Sequence, residues 1–135
     1  MSRLFLSSNI EGGNGTSGES MLEELDCYYA SELPIRRPNS MNNYGTIVNN
    51  IGMEGFMTRF QDDVSRPLGS FLFPGKGYEW LDSHHSFSVR YTAGEDLGLD
   101  MHTDDSDVAF NVCLGKPGFT AAGLTFCGVM GKADH

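Results

Sequence analysis

The chain has 135 residues, 39% of them hydrophobic, which suits one domain with an ordinary core and argues against a disordered chain. The formal net charge of -9 disfavours binding to nucleic-acid phosphates. No run approaches the ~18 apolar residues of a membrane span, and the apolar run near the N-terminus is too short for a secretion signal. We therefore expect a cytoplasmic protein that contacts neither membrane nor nucleic acid.

The three cysteines form no CxxC pair, so a zinc ribbon is not indicated. A sparse, odd number of cysteines is typical of a reducing compartment. Cys113 and Cys127 lie in apolar, strand-like runs and are expected to be small core residues.

The first part of the chain divides into a lead-in and a short helix. Residues 7–20 are rich in glycine, serine and asparagine, and residues 1–20 are therefore interpreted as a flexible lead-in to a folded part at 21–135. Ser20 and Glu23 have the spacing of a capping box, which predicts a helix to about Tyr29. Two prolines at 34–40 predict an extended or turning segment.

Apolar residues at helical spacing predict a second helix over residues 48–64, although Gly52 and Gly55 weaken it. Pro67 is expected to end this helix before Leu68. The apolar residues at 68–73 are interpreted as a short extension that packs onto a sheet, followed by a Pro-Gly turn at 74–77.

From about residue 86 the apolar period changes to two, which predicts strands. Apolar residues alternate with others over 87–91, over 108–114 and from Leu124 onward. Breaks at 93–94, at 116–118 and at Gly131 predict turns between these strands. The predicted fold class is mainly β with N-terminal helices.

The segment around His102 and Asp104 carries the clearest candidate chemistry. On an extended backbone these side chains point to one face, about 7 Å apart along the chain, whereas on a helix they would diverge. One imidazole and one carboxylate with open positions are what non-haem Fe(II) oxygenases use once a second histidine completes the set. His-x-Asp is a weak motif alone, and a surface histidine beside solvated acids is the competing interpretation.

Two further features accompany this motif. Tyr91 lies on the predicted strand before it, where the alternative is an ordinary core aromatic residue. Small residues and Gly123 open the predicted strand through Leu124, where the alternative is a bulge or a close approach of two backbones. The other acidic residues near the motif, among them Asp96 and Asp107, are interpreted as a solvated rim.

The order Tyr91, His102-x-Asp104, the 111–114 strand and the 122–126 strand resembles the Fe(II)/2-oxoglutarate-dependent dioxygenases, in particular their prolyl-4-hydroxylase-like branch. The resemblance covers residues 38–135 and implies a double-stranded β-helix, a jelly-roll-like barrel. It implies His102 and Asp104 as iron ligands and Tyr91 as a contact of 2-oxoglutarate, with Gly123 and Leu124 bordering the site. Fe(II), 2-oxoglutarate and, as a further candidate, ascorbate are the implied cofactors, and hydroxylation of a peptide or small-molecule C–H bond is the implied reaction.

The family's second iron histidine and its basic anchor for 2-oxoglutarate match no position of this sequence. His84 and His85 precede the first predicted strand, and His135 follows Gly123 too closely. The sequence is therefore expected to be an incomplete oxygenase that ends inside its barrel. The alternative is a catalytically inactive β-rich fragment that acts as an interaction module, and the open strand edges of either form predict self-association.

Overall fold

The computed structural model of the protein describes residues 2–7, 17–114 and 123–125. The regular elements occur in an order that alternates a few short strands with short helices. They are β1 (Ser2–Ser7), α1 (Ser17–Ala30), β2 (Gly45–Ile47), a 3₁₀ turn (Val48–Ile51), α2 (Glu54–Phe60), a π turn (Gln61–Ser65), α3 (Arg66–Leu72), a second 3₁₀ turn (Tyr78–Trp80), β3 (His84–Val89) and β4 (Val108–Cys113). None of the helices in these ranges is long and apolar enough to cross a membrane.

The strands form one sheet in the order β2-β3-β1-β4. β1 runs parallel to both β3 and β4, and β2 pairs antiparallel with β3. The run Leu4-Phe5-Leu6 is the continuous apolar pattern of a strand inside a parallel sheet. Residues 2–7 form a strand where a flexible lead-in was expected. Their pairing partners lie far along the chain, so the local composition did not indicate this strand.

The hydrophobic core lies between α1, the 48–57 region and the end of β4. Met21 and Leu25 of α1 are one helical turn apart and are 5% and 3% exposed. They pack with Val48, Met57 and Leu114 in one buried cluster. Each side chain of this kind contributes about 1.5–3 kcal/mol when it is removed from water. The predicted helix after the glycine-rich segment is present, but it begins at Ser17, three residues before the expected cap.

The prediction that Pro67 ends the second helix is wrong. α2, the π turn and α3 follow one another without a break from residue 54 to residue 72, and Pro67 lies in the first turn of α3. The backbone N–H of Arg66 donates to the carbonyl of Gln61, five residues back. This wider turn gives the proline ring room that an ordinary α-turn would not.

Apolar side chains of α3 and the loop after it face solvent, so the expectation that residues 68–73 pack onto the sheet is wrong. Phe71 is 80% exposed, and Trp80 in the following 3₁₀ turn is also 80% exposed. Only Gly69 of α3 is buried, and a Cβ atom there would lie 3.1 Å from the Cβ of Tyr78. α3 is therefore anchored through its backbone at Gly69, and its larger apolar residues remain outside the core.

Two of the three predicted strands are observed, with different bounds for the first. β3 begins at His84 and ends at Val89, so both histidines thought to precede the strand open it, and Tyr91 lies beyond it. β4 matches the second prediction within one residue. Residues 123–125 are exposed and not in a strand, and most of the third predicted strand, including Cys127, lies outside the described residues. The described part of the chain thus forms a single sheet and does not show a double-stranded β-helix.

Candidate functional site

His102 and Asp104 lie in the irregular connection between β3 and β4. The segment is neither helix nor strand, because the polar residues 105–107 bend the backbone just before β4 begins. The two side chains nevertheless converge, with Nε2 of His102 3.5 Å from Oδ1 of Asp104. About one third of each side chain is exposed. The pair is therefore accessible from solvent and open on one side.

A backbone contact fixes which nitrogen of His102 is available. Nδ1 lies 2.9 Å from the carbonyl oxygen of Asp100. Because a carbonyl oxygen only accepts hydrogen bonds, Nδ1 carries a proton and Nε2 is left to face Asp104. In the neutral imidazole this directs a lone pair at a carboxylate, which is favourable only when a cation or a proton lies between them.

The His102 and Asp104 side chains can provide two neighbouring ligands to one divalent cation. Two ligands bonded at ~2.1 Å to one ion in adjacent octahedral positions lie roughly 3 Å apart, and the observed N–O separation of 3.5 Å is slightly longer. The histidine orientation by a backbone carbonyl is the arrangement usual for a metal-ligating imidazole. Within residues 2–7, 17–114 and 123–125, no group of three metal-ligating side chains is assembled.

The other two histidines of the described chain belong to β3. His84 accepts from Nδ2 of Asn49 at 3.2 Å on its Nδ1, since Oδ1 of Asn49 is already used by the backbone N–H of Ser86. Its Nε2 then carries the proton and faces Oγ1 of Thr58 at 3.1 Å. His84 thus joins β3 to α2 as a neutral residue, which is a structural role.

Burial lowers the pKa of His84 below its ordinary 6.5, and the negative charges of Glu54 and Asp62 only partly oppose this. The unfolded chain therefore binds more protons than the folded chain as the pH falls below about 6.5. We expect the free energy of unfolding to decrease across that window and His84→Gln to flatten the decrease. Urea unfolding of both proteins at pH 7.5 and 5.5 measures the difference, and equal slopes would contradict the role assigned to His84.

Tyr91 is half-buried beyond the end of β3, beside the segment that precedes β2. Burial raises the pKa of Tyr91, and the side-chain amide of Asn42 opposes part of that rise. Asp96 holds the same segment by accepting hydrogen bonds from the backbone N–H groups of Asn43 at 2.6 Å and of Tyr44 at 3.1 Å. Burial raises the pKa of Asp96, but these bonds outweigh it and lower the pKa overall.

Arg90 stabilises the turn at residues 93–94, which follows β3. Its guanidinium makes two hydrogen bonds to the carboxylate of Glu95, at 2.9 and 2.7 Å, and lies 4.9 Å from the ring centre of Tyr29. Gly94, with φ of 89°, supplies the left-handed residue that the turn between them needs. The predicted turn at 93–94 is present, and it leads directly into the segment that carries His102.

Sequence reasoning missed Asn42 and treated Asp96 as part of a solvated rim. Asp96 instead accepts hydrogen bonds from the backbone of Asn43 and Tyr44, and Asn42 is fully buried with its side-chain oxygen bonded to Asn39. The only signal was local, since the Pro-Asn-Ser run at 38–40 is typical of a turn in which an asparagine bonds to the following backbone. Gly123 and Leu124, predicted to border the site, are exposed and outside any strand.

Comparison with known proteins points to one superfamily. Residues 17–78 match the family model described as "OGFOD2-like domain". The "2-oxoglutarate and iron-dependent oxygenase domain-containing protein 2" of Danio rerio is 45% identical over 109 residues, and that of Homo sapiens is 41% identical over 112 residues. The "2-oxoglutarate and iron-dependent oxygenase domain-containing protein ICU11" of Arabidopsis thaliana is 42% identical over 101 residues.

These alignments cover 80%, 82% and 75% of this chain but only 31%, 32% and 25% of the respective relatives. The chain thus spans between a quarter and a third of the length of these relatives. No solved structure gives a significant match. The names of these relatives state a dependence on 2-oxoglutarate and iron, which is the superfamily that the sequence motifs resemble.

Proposed function

We propose that this chain carries part of the active site of a non-haem Fe(II)- and 2-oxoglutarate-dependent oxygenase. The observation that carries the proposal is the pairing of Nε2 of His102 with Oδ1 of Asp104 at 3.5 Å, with Nδ1 of the histidine already engaged by a backbone carbonyl. Relatives named for iron and 2-oxoglutarate align over most of the chain, which supports the same assignment.

In this proposal His102 and Asp104 are two iron ligands, and no position of this sequence is assigned as the third. Acidic neighbours at 100, 105 and 107 add negative potential that favours a cation at the pair. Bound iron supplies the redox chemistry that couples 2-oxoglutarate and O₂ to hydroxylation of a C–H bond. The chain's own residues hold the metal, orient the imidazole and, through Tyr91, contact the cosubstrate.

Finer features of the proposal rest on the resemblance of the sequence motifs alone. They are a prolyl-4-hydroxylase-like branch, a double-stranded β-helix in the whole enzyme, a peptide or small-molecule substrate, and ascorbate as an additional cofactor.

An anaerobic calorimetric titration of the chain with Mn(II) tests the metal site. We expect saturable binding to one site and a loss of at least about tenfold in affinity for His102→Ala, because an ion-binding imidazole is removed. His85→Ala, which changes a half-buried histidine on β3, is the matched control and should bind as the unchanged chain does. Affinity that is indifferent to His102→Ala would reject the site.

A further inference from the structure

Apolar side chains of α3 and of the turn after it are exposed close to one another. We call this surface the α3 patch and define it as Leu68, Phe71, Leu72, Phe73 and Trp80. Phe71 and Leu72 follow Leu68 by three and four positions on the helix, so these three residues share one face. They are 80%, 58% and 42% exposed, and Phe73 and Trp80 are 51% and 80% exposed. Exposed apolar surface of this kind is typical of a binding site.

Tyr78 holds the two parts of the α3 patch together. Its side chain lies against Gly69, and its ring meets the ring of Phe73 edge to face with the centres 5.5 Å apart. Trp80 follows Tyr78 by two residues, at most about 7 Å along the chain, and its backbone N–H donates to the carbonyl of Gly77 at 3.0 Å. The patch is therefore ordered before anything binds to it, which lowers the entropic cost of binding.

The area of the α3 patch is close to what a stable dimer needs. At about 150–250 Å² for each aromatic residue, the exposed fractions of Phe71, Phe73 and Trp80 amount to roughly 400 Å². Two copies placed patch against patch would cover twice that area, and the leucines bring the total to roughly the 1,200 Å² at which specific, stable interfaces begin. The area therefore fits contact with a second protein surface.

The charges around the α3 patch indicate that this second surface can be a copy of the same chain. The formal charge of the chain is -9, so two copies repel one another over much of their surface. The charged residues among positions 66–80 are Arg66, Lys76 and Glu79. Arg66 is paired with Asp62 at 3.0 Å, and the exposed Lys76 and Glu79 balance one another. Contact through the patch therefore joins two acidic chains where their repulsion is small.

We propose that the α3 patch is a self-association surface through which two copies of this chain form a symmetric dimer. Under two-fold symmetry the same patch meets itself, so apolar surface faces apolar surface. The dimer uses neither the His102–Asp104 pair nor an open strand edge, and it is tested independently of the proposed function. Because its area is at the lower limit for stable interfaces, we expect a dissociation constant on the order of 10 µM.

Sedimentation equilibrium of the full chain, at concentrations from about tenfold below to about tenfold above that constant, measures the dimer. We expect Phe71→Ser and Leu72→Ser each to weaken it by at least about tenfold, because a two-fold interface loses the side chain twice. Leu97→Ser is the matched control, since Leu97 is 80% exposed but lies in the connection between β3 and β4. It should leave the dissociation constant unchanged. Circular dichroism verifies that the variants, all at exposed positions, keep the fold.

The salt dependence of the dimer gives a second measurement. Salt screens the repulsion between two chains of charge -9 and does not weaken contact between apolar surfaces. We therefore expect the dissociation constant to fall as the ionic strength is raised. A dissociation constant that rises with salt would show that the contact is ionic and would overturn the proposal.

Three further results would also overturn it. One is a chain that stays monomeric throughout, in which case sedimentation with phosphatidylcholine vesicles shows whether the patch binds lipid instead. Another is an unchanged dimer in both Phe71→Ser and Leu72→Ser, because the contact would then lie elsewhere, for example at a strand edge. The third is equal weakening by Leu97→Ser, which would mean that any exposed apolar residue promotes association.

Discussion

Asp104→Asn is expected to weaken Mn(II) or Fe(II) binding by at least about 100-fold, because changes to residues outside a ligand set already cost about 10–100-fold. Asparagine keeps an oxygen at the same place but removes the negative charge that faces Nε2 of His102 at 3.5 Å. Metal affinity measured anaerobically by calorimetry, at fixed ionic strength, reports the change.

Asp105→Asn is the matched control for this result. It removes the same charge from the adjacent, exposed residue and therefore alters the general potential around the site in the same way. We expect it to change affinity by less than about threefold, since it removes no ligand. Similar losses of metal affinity in the two variants would mean that the acidic segment attracts cations in general and that Asp104 is not a ligand.

The sequence predicted that the side chains of His102 and Asp104 converge, but the prediction rested on a strand that is not present. The prediction assumed a strand, whose alternation places residues two apart on one face. The structure has an irregular connection in which the carbonyl of Asp100 holds the imidazole instead. Short-range spacing was enough to bring the two groups together, whereas the backbone contact that orients the histidine could not be inferred from residue types.

Features that depend on distant parts of the chain were not predictable from local patterns. Pairing of β1 with β3 and β4 joins residues about eighty and more than one hundred positions apart, and periodicity carries no information on such partners. Asp96 meets the backbone of Asn43 and Tyr44 for the same reason, since β2 carries the 39–44 segment to the end of β3. The π turn before Pro67 likewise has no signature in an apolar pattern of period 3.6.

Gly45 is the position at which we expect a single substitution to disturb the pairing of β2 with β3 most strongly. It has φ of 139° and lies at the start of β2, where it pairs with Val89. A Cβ atom added there would lie closer than 3.0 Å to the carbonyl oxygen of Ser88 and 3.0 Å from Cγ of Pro38. The first of these neighbours is backbone of β3, which cannot move without disturbing the sheet.

Gly45→Ala is accordingly expected to lower the free energy of unfolding by about 3 kcal/mol or more, combining a backbone conformation that favours glycine with overpacking against β3. Urea unfolding followed by circular dichroism measures the loss. Gly52→Ala is the matched control, because Gly52 has φ of 87° but nothing within 4 Å of the added Cβ. It should cost only about 1–2 kcal/mol, the penalty for a left-handed alanine. Equal losses in the two variants would show that backbone conformation alone sets the cost and that the close contact between β2 and β3 adds nothing to it.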